Sequence, residues 1–78
     1  MNTALVNPEI RAIEFMGDAA LFVYLNNERT FIVPLNQFPA IRNLSKEQRM
    51  DFEVIDGIYL SFQSIDDIYS IHQLIGID

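Results

Sequence analysis

The sequence predicts a small α+β domain in which helices pack on one face of a mainly antiparallel sheet. The first half of the chain holds three short apolar segments separated by turn residues, as in a β-meander. Ser45 and Ser70 each stand three residues before a glutamine, which is the spacing of a helix-starting capping box. Between them, Asp56-Gly57 separates two more apolar segments, as in a tight hairpin. The predicted order is βββ-α-ββ-α in one domain over residues 1–78.

Three predicted strands occupy the first half of the chain. From Ile10 to Met16, apolar and polar residues alternate as they do in a half-buried strand. Ala20 to Asn26 is almost wholly apolar, which predicts a central strand covered on both faces. Arg29 to Leu35 is rich in β-branched residues. Pro34 places the end of this strand at a sheet edge or a strand terminus, because proline cannot donate to a ladder.

The middle of the chain is predicted to form short helices. Pro39 suits the first position of a helical turn that covers Ala40 to Asn43. The Ser45 hydroxyl is expected to accept a hydrogen bond from the Gln48 amide while the Gln48 side chain reaches back. A helix is therefore predicted over Lys46 to Asp51.

A hairpin and a last helix complete the order. Phe52 to Ile55 and Ile58 to Phe62 are predicted strands. Ser70 is expected to cap a helix that ends before Gly76, where a left-handed residue is needed. The predicted core draws on the five strands and the last helix: Phe15, Phe22, Val23, Leu25, Phe31, Val33, Phe52, Leu60, Phe62, Leu74 and Ile75.

Length and composition exclude several classes of protein. A chain of 78 residues has room for one core, and a hydrophobic content of 50% argues against disorder. The lack of cysteine excludes disulfides, thiolate catalysis and Cys-ligated zinc. No signal peptide is recognised over Met1 to Asn7, and no apolar run approaches the roughly 18 residues of a membrane helix. We expect a soluble cytoplasmic protein without a cofactor.

The charge balance disfavours direct binding of nucleic acid. Eleven acidic residues against five basic ones give a net charge of −6, and Lys46 is the only lysine. The arginines are scattered among acids, whereas a groove that follows phosphates needs clustered positive charge. The acidic surface suits a basic protein partner or serves solubility alone.

Three groups of residues carry a resemblance to a known family. They are Val33-Pro34-Leu35 with Phe38-Pro39, then Glu47-Gln48-Arg49 with Phe52-Glu53, and finally Phe62, Asp66-Asp67, Ser70-Ile71 and Leu74-Ile75. In this order and spacing, residues 10–76 resemble the bacterial family called domain of unknown function 2442. The resemblance implies a small α+β fold but no agreed activity. Some members of that family occur in toxin–antitoxin-like gene pairs, so the resemblance includes an antitoxin-like role among the expectations.

Four residues are candidates for a binding site: Arg49, Asp66, Asp67 and Tyr59. Arg49 is predicted to pair with Glu53 or with one of the two aspartates, or to interact with the carboxyl end of its helix. Partner binding is the alternative role for Arg49. The acidic pair could divide acid and base roles, but adjacent side chains point in different directions. A solvated loop with an Asx-turn is the favoured interpretation.

His72, the only histidine, stands in the first turn of the last predicted helix. A lone histidine in a chain without cysteine makes a poor metal site. We therefore expect a surface position for His72, with no metal site and no catalytic residue. An enzyme would require Asp66, Asp67, Arg49 and His72 to converge in one pocket.

These observations favour a non-catalytic protein-interaction module, either antitoxin-like or an adaptor. The alternatives are an inhibitor that mimics the charge of nucleic acid and, less favoured, a small enzyme. Two short helices can cover only part of a sheet, so apolar residues such as Tyr24, Ile32, Ile58 or Tyr59 are expected to remain exposed. We expect this patch to form a homodimer or to bind another protein.

Overall fold

The structure is a computed structural model that describes residues 7–77. Within this range the chain forms two three-stranded sheets and three short α-helices, and the α+β class is confirmed. The strands are β1 (Ile10–Met16), β2 (Ala20–Leu25), β3 (Thr30–Pro34), β4 (Phe52–Ile55), β5 (Tyr59–Phe62) and β6 (Ile68–Ser70). A 3₁₀ turn covers Leu35–Gln37, and the helices are α1 (Pro39–Arg42), α2 (Lys46–Met50) and α3 (Ile71–Ile75).

The strands are divided between two antiparallel sheets, so the prediction of a single sheet is wrong. Sheet A has the order β1-β2-β3, and sheet B has the order β4-β5-β6. Residues 35–50 fold into the 3₁₀ turn and two helices, which separate β3 from β4. The hairpin of β4 and β5 then pairs with β6, a strand that was not predicted from the sequence. The observed order is βββ-αα-βββ-α.

One core joins the two sheets. Leu21 and Val33 from sheet A and Leu60 and Phe62 from sheet B are essentially inaccessible to solvent. The ring of Phe15 in sheet A lies 6.2 Å from the ring of Phe62 in sheet B. Helices α1 and α3 add buried side chains to this core, whereas α2 adds none.

The predicted core is confirmed in part. The confirmed members are Val23, Leu25, Val33, Leu60, Phe62 and Leu74. Phe15, Phe31 and Ile75 pack against the core but are only partly buried, and Phe52 is 39% exposed. The prediction that Phe22 belongs to the core is wrong. Side chains alternate along β2, so Leu21, Val23 and Leu25 are buried and Phe22 lies on the opposite side of the sheet. For the same reason β2 is deeply buried on one face only.

Both predicted capping boxes are present. The Ser45 hydroxyl accepts a hydrogen bond from the Gln48 amide at 3.1 Å, and the Gln48 side chain accepts from the Ser45 amide at 2.9 Å. Ser70 and Gln73 make the same two bonds at the start of α3. Helix α3 ends at Gly76, which is left-handed with a φ of +81°. Helices α2 and α3 thus each begin at a serine that accepts a hydrogen bond from a first-turn amide, whereas α1 has no side-chain cap.

No helix in residues 7–77 has the length and apolar character needed to cross a membrane. The prediction that Met1 to Asn7 holds no signal peptide falls almost entirely outside the described residues.

Candidate functional site

Arg49 lies near the end of α2 with its side chain only 12% exposed. Its Nη1 donates to the Gly17 carbonyl at 2.9 Å. Its Nη2 donates to the Asp18 carboxylate and to the Arg42 carbonyl, each at 2.8 Å. The guanidinium carbon also lies 4.6 Å from the centroid of the Phe15 ring. Arg49 therefore ties the β1–β2 turn to the end of α1, and its terminal nitrogens are occupied inside the protein.

The ionic partner of Arg49 is Asp18, so the predicted partners Glu53, Asp66 and Asp67 are wrong. Asp18 lies 31 residues earlier in the chain, in the turn between β1 and β2. Sequence spacing indicates only partners that are near in the chain, and nothing in the sequence marks this distant turn. Arg49 also bonds the Arg42 carbonyl, the last of α1, whereas the prediction placed this interaction at the end of its own helix, α2.

Asp66 and Asp67 lie in the exposed loop that leads into β6. Among residues 7–77, neither carboxylate accepts a hydrogen bond from a backbone amide, so the predicted Asx-turn is not formed. This loop affects the pKa of Tyr69, the middle residue of β6. Burial raises the pKa of the Tyr69 hydroxyl, and the nearby negative charge of Asp67 raises it further.

Tyr59 and His72 line one shallow groove of about 350 Å³. Five further residues complete its lining: Asn7, Pro8, Ile58, Ser70 and Ile71. Arg49, Asp66 and Asp67 do not contribute to it, so the structure does not bring the predicted site residues together. In the part of the chain that is described, no three His, Cys, Asp or Glu side chains are grouped as metal ligands.

A different surface is formed by the side of sheet A that faces away from the core, which we call the outer face. Among residues 7–77, its side chains are apolar or aromatic except Glu14, Thr30 and Arg11. Ile32 is 66% exposed and Met16 is 51% exposed, and both lie on this one face. The strand register arranges the face in three rows: Ala12–Tyr24–Thr30, Glu14–Phe22–Ile32 and Met16–Ala20–Pro34.

Tyr24 connects the charged groups of the outer face. Its hydroxyl donates to Glu14 Oε1 at 2.6 Å, and this bond raises the pKa of the Tyr24 hydroxyl. The guanidinium carbon of Arg11 lies 5.9 Å from the centroid of the Tyr24 ring. Arg11 reaches this side of the sheet because the β1–β2 register shifts between Ile10 and Ala12. The face thus carries one negative and one positive side chain, a few ångströms from the same ring.

Tyr24 and Ile32 belong to the exposed patch predicted from the sequence, whereas Phe22 and Met16 were not part of that prediction. The alternation of side chains along β2 would have identified Phe22, because a strand that buries Leu21 must turn Phe22 outward. The other two predicted members, Ile58 and Tyr59, are each 38% exposed but belong to the hairpin of sheet B.

The fold and this surface define a small α+β domain built from two successive β-meanders. The chain belongs to the family described as "Protein of unknown function (DUF2442)", whose model matches residues 10–77. This match confirms the resemblance found in the three groups of motif residues. No curated protein and no solved structure matches the chain.

Proposed function

We propose that this protein is a non-catalytic protein-interaction module, antitoxin-like or an adaptor, whose contact surface is the outer face of sheet A. One observation carries the proposal: a three-stranded sheet exposes a continuous set of apolar side chains. Ile32 is 66% exposed, and the adjacent Phe22 is only half-buried. Contiguous apolar patches on small proteins usually mark interaction surfaces.

The centre of the outer face has the composition of a binding hot spot. Phe22 and Tyr24 stand edge to face with ring centroids 6.4 Å apart, and Ile32 lies beside Phe22 in the same row. Aromatic side chains at the centre of a patch contribute a large share of binding energy. Burial of apolar surface is worth about 25 cal/mol for each Å² removed from water. A flat apolar partner would therefore gain most of its affinity from these three residues.

Charge acts on this surface from a distance. The chain has a net charge of −6, while Arg11 and Glu14 are the only charged groups on the outer face among residues 7–77. Long-range attraction favours a basic partner protein. Contact at the face favours apolar and uncharged groups, since an unpaired charge buried there would be costly.

The two alternative functions have weaker support. A mimic of nucleic acid needs carboxylates spaced like phosphates along one side, but Asp18 and Glu28 lie in turns at opposite ends of β2, and Asp18 is paired with Arg49. An enzyme needs its reactive groups in one pocket. Arg49 is occupied by contacts within the protein, and His72 lies in a groove that it does not share with Arg49.

Site-specific photo-crosslinking in the cells that make the protein tests the proposal. A p-benzoylphenylalanine residue replaces Ile32 in one variant and Ile68 in a matched control, because Ile68 is a 51% exposed isoleucine of sheet B. We expect a crosslinked protein adduct from position 32 and little or none from position 68. Equal adducts from both positions, or none from position 32, would rule out the outer face as the contact surface.

A further inference from the structure

We infer that the partner on the outer face is a second copy of this chain, packed face to face about a two-fold axis. This inference rests on the proposed function and names its partner. Sheets that pack through their faces are a common solution for burying one apolar side of a sheet. The choice of a second copy over another protein comes from the charges on the face.

The outer face is complementary to itself. Its charged side chains are one arginine and one glutamate, Arg11 and Glu14, whereas the whole chain carries −6. The net charge of −6 on each copy opposes self-association at long range, but physiological salt screens charges that are more than about 8 Å apart. At contact distance, a basic partner would meet as much positive as negative charge on this face. A second copy brings the opposite charge to each of these two residues, provided that the axis places Arg11 near Glu14. Isologous contacts require this kind of self-complementary patch.

The strand register places that axis. Glu14 is in the row of Phe22, and Ala12 is in the row of Tyr24, with Arg11 next to Ala12 at the bulge. A two-fold axis that runs across the strands between these two rows sets Phe22 on Tyr24 of the second copy. The same axis places Glu14 of each copy beside Arg11 of the other copy. Aromatic packing and charge pairing are therefore satisfied by one arrangement.

The size of the face sets the strength of the dimer. Three strands about 4.8 Å apart and five residues of about 3.3 Å each give a footprint of roughly 14 Å by 17 Å. An interface of this size buries less than about 1,000 Å² in total, which belongs to the weak and transient class. We therefore expect weak self-association and a mass that changes with concentration.

Sedimentation equilibrium from about 10 μM to 1 mM, in physiological salt, tests the inference. The average mass is expected to rise from 9.0 kDa towards twice that value. Arg11→Glu and Glu14→Arg should each weaken self-association about tenfold, because every interfacial pair becomes a like-charge pair. An equimolar mixture of the two variants restores opposite charges at both pairs and should form a heterodimer, which also shows that both variants are folded.

Two results would overturn the inference: a 9.0 kDa mass at 1 mM, or single variants that associate as strongly as the parent. The proposed function fails separately. A crosslink from position 32 to a different protein, with a monomeric isolated chain, would keep the function and remove the dimer.

Discussion

Replacing Arg49 tests how much one buried guanidinium contributes to holding this small domain together. The variant is Arg49→Met, because methionine keeps an apolar stem of similar length and removes the charged head. Two backbone carbonyls, those of Gly17 and Arg42, would lose a donor at 2.9 Å and 2.8 Å. The contact with the Phe15 ring at 4.6 Å would be lost as well.

The magnitude follows from the burial of each contact. Hydrogen bonds to charged groups contribute about 1.5–3 kcal/mol each, and a cation over an aromatic ring adds about 0.5–1 kcal/mol. The desolvation of a buried guanidinium, including its unpaired Nε, opposes these gains. We expect Arg49→Met to lower the free energy of unfolding by about 3 kcal/mol. Asp18→Asn should cost less than about 1 kcal/mol, because the Asp18 side chain is 77% exposed and its ion pair is screened.

Urea unfolding followed by circular dichroism measures both values, with Arg29→Ala as a control at an exposed arginine. In thermal melts a loss of about 3 kcal/mol corresponds to a fall in Tm of roughly 12–24 °C for a domain of this size. If Asp18→Asn proved as costly as Arg49→Met, the ion pair would be the main interaction and our division of the energy would be refuted. An Arg49→Met variant within about 1 kcal/mol of the parent would refute it too.

Three further predictions concern the core, the caps and pH. Phe62→Ala should lower the free energy of unfolding by about 3–5 kcal/mol because its ring is buried. Phe22→Ala should lower it by only about 1 kcal/mol. Equal losses in urea titrations would mean that Phe22 does not lie on the outer side of β2. Ser45→Ala and Ser70→Ala should each lower the free energy of unfolding by about 1 kcal/mol. The two losses should add in the double variant, because the two capping boxes are separate. Calorimetry measures both, and unchanged stability in either single variant would refute the prediction. Burial raises the pKa of Tyr69 in the folded state. Its contribution to the free energy of unfolding is therefore complete below a pH of about 10 and is lost as the pH rises through the folded pKa. In Tyr69→Phe the free energy of unfolding should fall less steeply between pH 9 and 12 than in the parent, and an unchanged slope of free energy against pH would contradict this.

The local signals in this sequence predicted local structure well. Each capping box places donor and acceptor within four residues, so the start of its helix can be read from the sequence. The Asp56-Gly57 hairpin is equally local, and both residues adopt the positive φ that such a turn needs, +55° and +74°. In the Asn26-Asn27 turn, the positive φ of +69° falls on Glu28, one position beyond the residues expected to form it.

The relation between distant segments was less predictable. β6 is three residues long and follows two aspartates, so neither its length nor its composition distinguishes it from a loop. Its pairing with β5 depends on packing against the core through Tyr69, which no local pattern reports. The bond from Arg49 to Asp18 likewise depends on how the two halves of the chain meet.

The division of the strands has a consequence for how the chain folds. Each sheet takes three strands that are consecutive in the sequence, and no strand pairing crosses from one half to the other. Sheet formation therefore closes only short loops, and a topology of this kind folds quickly because little chain entropy is lost before contacts form. The slow step should be the docking of the two halves, which brings the Ile10 amide to the Gly57 carbonyl and Arg49 to the first turn. Substitutions that weaken contacts between the two halves, such as the bond from Arg49 to Gly17, should therefore change the unfolding rate more than the formation of either sheet.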